Sequence, residues 1–479
     1  MSALIEIEQL TIKTADGRPL VTDVSFSIHA GEPFCLVGET GSGKSLVMHA
    51  LMGSLPDELR CSGQIRYQKE NLLALPAAQR RAFWGRRFAL LPQEPWLALD
   101  PTMTVLDQVA EVLLALEGMP LGQARKLATT ELSVLGLGDN LLSYPFELSG
   151  GMAQRVSIAM ARIAASPLLL ADEPTKGLDK ALCQTVADLL LTEADAGRGL
   201  LVITHDLDLV AALGGRLGVM RDGRLLESGV TEPWLKAPTQ PYSRELIAAM
   251  PQHWPRPQTK VSAQRSEVVQ AQGLSKSFGD RHLFSDLDVT LREGEVTVVL
   301  GPSGSGKSTL GNVLTGLLPA DAGQLIWPES ASPLKYQKIY QDPPAAFIAH
   351  QTLRQSFDDL LALHGLEPAR LNHLLSELGL AEALLERRPS GISGGELQRL
   401  AIARALLLEP VMLFADEATS RLDPVSQKKV IELLLAEVAE RGLALLLVTH
   451  DPALAERIAD QLIRLDQQPT DAAAQQQAA

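Results

Sequence analysis

Apolar and polar positions along this chain follow the same sequence of rhythms twice. Leu4, Ile5, Glu6 and Ile7 open a period-two alternation near the start, and Glu267, Val268, Val269 and Gln270 open another past the midpoint. Each reads as a half-buried edge strand. Apolar runs follow at 34–37 and, interrupted only by Thr297, at 296–300, and each leads into helically spaced apolar positions, at 46–52 and 310–317. Further apolar runs at 200–203 and 445–448 fit buried parallel strands. Between residues 93 and 149 the rhythm changes: Val109, Val112, Leu113 and Leu116 recur at i, i+3, i+4 and i+7, which predicts a separate helical subdomain. Residues 251–266 (PQHWPRPQTKVSAQRS) lose all periodicity and read as a linker. The low-complexity stretch 466–479 (DQQPTDAAAQQQAA) reads as a disordered tail. The expected organisation is therefore a first α/β domain at 1–250, the linker, and a second α/β domain at 267–465.

Composition narrows the partners. The 479 residues carry 43 basic and 57 acidic side chains, a net charge of −14, which points away from a phosphate backbone and thus from nucleic acid. Cys35, Cys61 and Cys183 show no metal-site spacing and fit a reducing cytosol. No run approaches the ~20 apolar residues that span a bilayer, and the start MSALIEIEQL lacks the charged and apolar regions of a signal peptide. A cytoplasmic protein is expected, with any membrane role supplied by partners.

The chemistry is written twice as well. GETGSGKS at 38–45 recurs as GPSGSGKS at 301–308, each between an apolar strand and a helix. That context makes them phosphate-binding loops. Gly38, Gly41 and Gly43, and likewise Gly301, Gly304 and Gly306, let backbone N–H groups face phosphate oxygens at a helix N-terminus. Lys44 and Lys307 reach the β- and γ-phosphates; Ser45 and Ser308, the latter followed by Thr309, offer hydroxyls to Mg²⁺. Asp172 and Asp416 end apolar strands, where a carboxylate projects from the sheet's carboxyl edge toward that ion. Glu173 and Glu417 follow and can polarise an attacking water. His205 and His450, 32 and 33 residues further on, are placed to contact the γ-phosphate.

LSGGMAQR at 148–155 recurs as ISGGELQR at 392–399, and the first serine of each stands 24 residues before the glutamate in both halves. With the loops and acids, these motifs resemble the ABC ATPases over nearly the whole chain. The resemblance implies two tandem ABC-type P-loop NTPase domains, each with a mixed or parallel sheet core, an antiparallel β layer and a helical signature subdomain. It also implies that ATP and Mg²⁺ bind head-to-tail between the halves. One site would use Lys44, Ser45, Gln93, Asp172, Glu173 and His205 with Ser393, Gly394 and Gly395; the other would use Lys307, Ser308, Gln341, Asp416, Glu417 and His450 with Ser149, Gly150 and Gly151. Gln93 and Gln341 would join the Mg²⁺ shell, and Asp179 and Asp423 match the family's D-loop. The adenine-stacking aromatic matches Phe278, whereas its counterpart in the first half is Thr14. Loss of a stacking partner is worth roughly 1–3 kcal/mol, so weaker nucleotide binding is expected at the first loop.

From lysine to glutamine the first half takes 49 residues and the second 34, which predicts a trimmed peripheral strand layer in the second. LPQEPWLALDPTMTV at 91–105 and the Pro-Tyr segment APTQPYSRELIAAMP at 237–251 resemble the peptide and nickel importer branch. That branch implies two integral membrane permease subunits, an extracytoplasmic substrate-binding protein, and a place on the cytoplasmic face of the inner membrane. Cargo would be peptides, nickel or metal–chelator complexes. A translation-factor type of soluble ABC ATPase and an exporter ATPase share the same chemistry and stand as alternatives.

Overall fold

The computed structural model describes residues 3–255, 265–279, 281–302, 304–328, 332–420 and 422–465. The expected tail at 466–479 and most of the expected linker, 256–264, lie outside the described residues. The chain divides into two units, Met1–Ile247 and Ala248–Ala479.

In the first unit a six-stranded sheet carries the parallel strands Phe88–Leu91, Leu168–Asp172, Gly199–Thr204, Pro33–Gly38 and Arg216–Arg221 in that spatial order, with Arg224–Val230 antiparallel at the edge. A four-stranded antiparallel sheet covers one face. The second unit repeats the plan with Tyr336–Ile339, Met412–Asp416, Ala444–Val448, Val296–Leu300 and Gln461–Arg464, all parallel. The three central strands of this sheet, Met412–Asp416, Ala444–Val448 and Val296–Leu300, are largely apolar and buried because both faces are covered. Val296, Val298, Leu445, Leu447 and Leu413 point into a core shared with the helices. Val299, Leu446, Val448, Met412 and Phe414 point into a second core under the antiparallel strands.

The strands expected at edges are internal. Ala3–Thr14 pairs with Pro19–His29 on one side and Leu59–Tyr67 on the other, and Glu267–Phe278 lies between Arg281–Arg292 and Ala322–Ile326. Alternation reports that one face of a strand is buried; it carries no information on whether both hydrogen-bonding edges are used. The shorter second half shows where chain is missing. Among the described residues its antiparallel sheet has three strands against four, and the strand Glu70–Asn71 and helix Ala77–Arg81 have no counterpart there.

The helical subdomain of the first unit contains Val105–Glu117 and Leu121–Val134, that of the second Leu353–His364 and Pro368–Glu377. Thr104 and Thr352 cap the leading helices through their hydroxyls. The start of the expected linker is ordered: Trp254 is 6% exposed, packs in the second unit's core, and donates from Nε1 to the Ala249 carbonyl at 2.9 Å. An indole needs both apolar contact and a partner for its N–H, and here it finds both, whereas periodicity cannot register one buried side chain. Among the described residues no helix is long and apolar enough to cross a membrane.

Candidate active sites

Each phosphate loop joins a buried strand to a helix, Pro33–Gly38 to Lys44–Met52 and Val296–Leu300 to Lys307–Leu314. The turn into the helix is made by Gly43 and Gly306, both at φ 96°, a conformation a Cβ would strain. Lys44 Nζ donates to the carbonyls of Gly38 and Glu39 at 2.7 and 2.8 Å, and Lys307 Nζ to those of Gly301 and Pro302, both at 2.8 Å. Each ammonium thus lies across its own loop, at the N-terminus of a helix, where a phosphate would be drawn.

The acidic pair follows the neighbouring strand. Glu173 and Glu417 both sit in the left-handed region, at φ 49° and 50°. A non-glycine residue is held there against about 1–3 kcal/mol, and a bond from each N–H to a strand carbonyl, Ile203 at 2.8 Å and Val448 at 3.2 Å, fixes it. The turn swings the glutamate out of line with the aspartate before it. In both halves the histidine lies against this glutamate: His205 Nδ1 is 2.9 Å from Glu173 Oε1, and His450 Nε2 contacts Glu417 Oε1. Thr204 donates to Glu173 at 3.3 Å, and Gln341 Nε2 donates to Glu417 Oε2 at 2.6 Å. Burial pushes Glu173 upward, but the His205 ring and Lys44 hold it below the ordinary carboxylate value. Burial likewise opposes ionisation of Glu417, and His450, Lys307 and Gln341 bring it below. For His205, burial disfavours the charge while Glu173 lifts its value above the ordinary one. Both glutamates are therefore held as oriented carboxylates, as a base toward water must be.

The ABC transporter family model matches residues 21–176 and 284–420, which hold both phosphate loops and both acidic pairs. The chain belongs to that family. It is 34% identical over 498 residues to the "Uncharacterized ABC transporter ATP-binding protein YejF" of Escherichia coli, covering 97% of this chain and 94% of that protein. It is also 34% identical to the "Glutathione import ATP-binding protein GsiA" of Shigella boydii, over 91% of this chain and 80% of that one. Among solved structures, "RNase-L Inhibitor" superposes on 95% of this chain and 87% of its own at a TM-score of 0.66 and 22% identity, a likeness of fold.

As an ABC ATPase the chain binds ATP with Mg²⁺ and hydrolyses it, and its residues fit the ion. Asp172 Oδ1 is buried with no hydrogen-bond partner. Burial and the neighbouring Glu173 push this carboxyl up to about 6, against the pull of Ser45, Lys44 and Lys176. A buried, under-satisfied oxygen beside the loop serine is what a hard cation with oxygen ligands would relieve. Asp416 shares the loop-serine bond, with Ser308 donating to its Oδ1 at 2.7 Å, and differs in Lys338, whose Nζ lies 3.3 Å from its Oδ2.

The signature helices begin at Gly150 and Gly394, capped by Ser149 and Ser393. Ser149 accepts from Met152 N at 3.4 Å; Ser393 forms a reciprocal box with Glu396. Asp179 and Asp423 cap the helices that follow the acidic pair, accepting from Leu182 N and Ser426 N at 3.0 Å each. Gln93 is exposed. Phe278 is 55% exposed, with Lys276 Nζ over its ring at 5.5 Å from the centroid. Thr14 instead turns its hydroxyl to Asp16 and to the Arg18 carbonyl.

Four contributors escape motif reading. Thr204 precedes His205 and supports Glu173 from a fully buried position. Tyr242, in the Pro-Tyr extension, accepts at its hydroxyl from the loop's Glu39 N–H at 2.9 Å, with Arg221 4.6 Å over its ring. Glu227 anchors that extension by accepting from Trp234, Thr239 and Ser243, and these bonds, outweighing burial, draw it down to about 2. Lys338 is the fourth. Pairing the halves residue by residue, which sets Lys338 opposite Leu90, is the signal that would have found it.

Proposed function

We propose that this chain is the ATP-hydrolysing motor of a bacterial importer of peptide-like or chelated cargo, working on the cytoplasmic face of the inner membrane. The observation that carries the motor reading is the repetition of one catalytic arrangement, a loop lysine with an oriented Glu–His pair, in both halves. Similarity at 34% identity to a glutathione import ATP-binding protein supports the direction and the cargo class. Permease partners are supported by an apolar patch on the first helical subdomain, where Leu142 and Phe146 are each 74% exposed and Tyr144 stacks on Phe146 at 5.7 Å.

In this reading Lys44 and Lys307 neutralise the transferring phosphate while Glu173 and Glu417 take up the proton of the attacking water. His205 and His450 hold those carboxylates in line. Mg²⁺, when bound, spreads the charge of the β- and γ-oxygens, with Ser45 and Asp172, and Ser308 and Asp416, as the residues to hold it. The family resemblance extends to the signature serines, Ser149 and Ser393, which we propose act on the nucleotide of the opposite half, so that ATP draws the halves together. An extracytoplasmic binding protein would deliver the cargo.

The test uses the double variant Glu173→Gln, Glu417→Gln, which binds ATP without turnover. Purified with ATP and Mg²⁺ from detergent-solubilised membranes, it should bring down two integral membrane proteins. Their identity and a co-encoded secreted binding protein then define the cargo. Recovery with ribosomes, or with no membrane protein, overturns the transport reading.

A further inference from the structure

The aspartate that closes Met412–Asp416 already has a cation of its own. Lys338 Nζ lies 3.3 Å from Asp416 Oδ2 and donates to Asn312 Oδ1 at 2.8 Å. The rings of Tyr340 and Phe414 stand 5.0 and 4.9 Å from the same nitrogen. The two charged side chains are 10% and 5% exposed. A nearly buried ammonium persists only where its charge is met on several sides, and here it is met by a carboxylate, an amide oxygen and two ring faces.

The first half has none of this. Strand register pairs Tyr336 with Met412 as it pairs Phe88 with Leu168, which sets Lys338 opposite Leu90, Tyr340 opposite Pro92 and Phe414 opposite Leu170. Counting from the loop lysines sets Asn312 opposite His49. All four members of the cage are exchanged together, in one half only. The two aspartates differ accordingly: Asp172 Oδ1 is buried without a partner, while both oxygens of Asp416 are engaged.

We propose that Lys338 is a resident cation of the second nucleotide site, supplying part of the charge that Mg²⁺ supplies at the first, so that nucleotide binding depends less on Mg²⁺ at the second loop. The inference rests on reading Asp172 and Asp416 as the Mg²⁺-side acids. A fixed ammonium beside Asp416 repels a divalent ion, and it attracts the more highly charged Mg²⁺-free polyphosphate more strongly than the Mg²⁺ complex. Both effects lower the coupling between nucleotide and Mg²⁺, which is reciprocal. One unit charge in a partly screened site changes such a coupling by about tenfold.

The experiment measures binding of a non-hydrolysable ATP analogue to the full chain by equilibrium dialysis, in Mg²⁺ and in EDTA. Lys307→Ala isolates the first loop and Lys44→Ala the second. The ratio of Kd in EDTA to Kd in Mg²⁺ should be about tenfold larger at the first loop than at the second. Lys338→Met should raise the second loop's ratio by about tenfold, whereas Lys338→Arg, which keeps the charge, should hold it. Leu90 is 38% exposed and has room for an amine, so Leu90→Lys should lower the first loop's ratio even if the Met variant does not fold. Equal ratios at the two loops, or a folded Lys338→Met protein whose ratio stays within about twofold, overturn the proposal. If Asp172→Asn leaves the first loop's ratio unchanged, the assignment of the acids has failed and the proposal falls with it.

Discussion

The two aspartates should answer the same substitution with opposite signs. Asp172 carries a buried oxygen without a partner, and its carboxyl is lifted from the ordinary 3.8 to about 6. Near neutral pH the folded chain therefore holds an ionised group whose charge burial penalises relative to the unfolded chain, at an upper bound of roughly 3 kcal/mol. Asp172→Asn removes that charge and should stabilise the nucleotide-free protein. Asp416→Asn should do the reverse, because it strips Lys338 of its carboxylate, and breaking one side of a buried pair costs about 3–5 kcal/mol. The pH dependence carries its own sign. Between 3.8 and about 6 the native state binds more protons than the unfolded chain at Asp172, so wild-type stability falls as pH rises through that window. The advantage of Asp172→Asn should be absent below the window and complete above it. Urea denaturation of each variant against wild type, without nucleotide, gives the differences, and hydrogen exchange assigns each to its unit. A destabilised Asp172→Asn or a stabilised Asp416→Asn at pH 8 would refute the reasoning.

Other outcomes follow from the same geometry. Glu173→Gln and Glu417→Gln should each slow hydrolysis at their own site by roughly 10²–10⁴, read in single-turnover assays, with nucleotide binding retained. Phe278→Ala should weaken ATP at the second loop by roughly 1–3 kcal/mol and leave the first unchanged; an equal loss at both would reject the stacking assignment. The Glu173–His205 pair stabilises fully only above the ordinary 4.5 of the acid and below the ordinary 6.5 of the ring, fading as pH falls through the lowered glutamate or rises through the raised histidine. His205→Gln should therefore be most damaging near pH 6, and a difference from wild type that is flat to pH 9 would contradict the pairing. Trp254→Ala should destabilise the second unit by about 3–5 kcal/mol, visible as a lowered melting transition.

Much of this protein is legible without coordinates because its chemistry is local. A phosphate loop needs glycines, a lysine and a hydroxyl within eight residues, and the chain displays that set at 38–45 and 301–308. The acids at 172–173 and 416–417 are equally plain, since an apolar run ending in two carboxylates has few other uses. Tertiary structure decided what depends on contacts between distant segments. It made the opening strands internal, because edge position is a property of neighbours. It placed His205 and His450 on the glutamates, 32 and 33 residues earlier in the chain, and drew Tyr242 to the loop at Glu39. It also set Lys338 beside Asp416, 78 residues away in sequence, through the pairing of adjacent parallel strands. Motif spacing could say that both halves bind nucleotide; only the packing of side chains across strands could make the two sites electrostatically unequal.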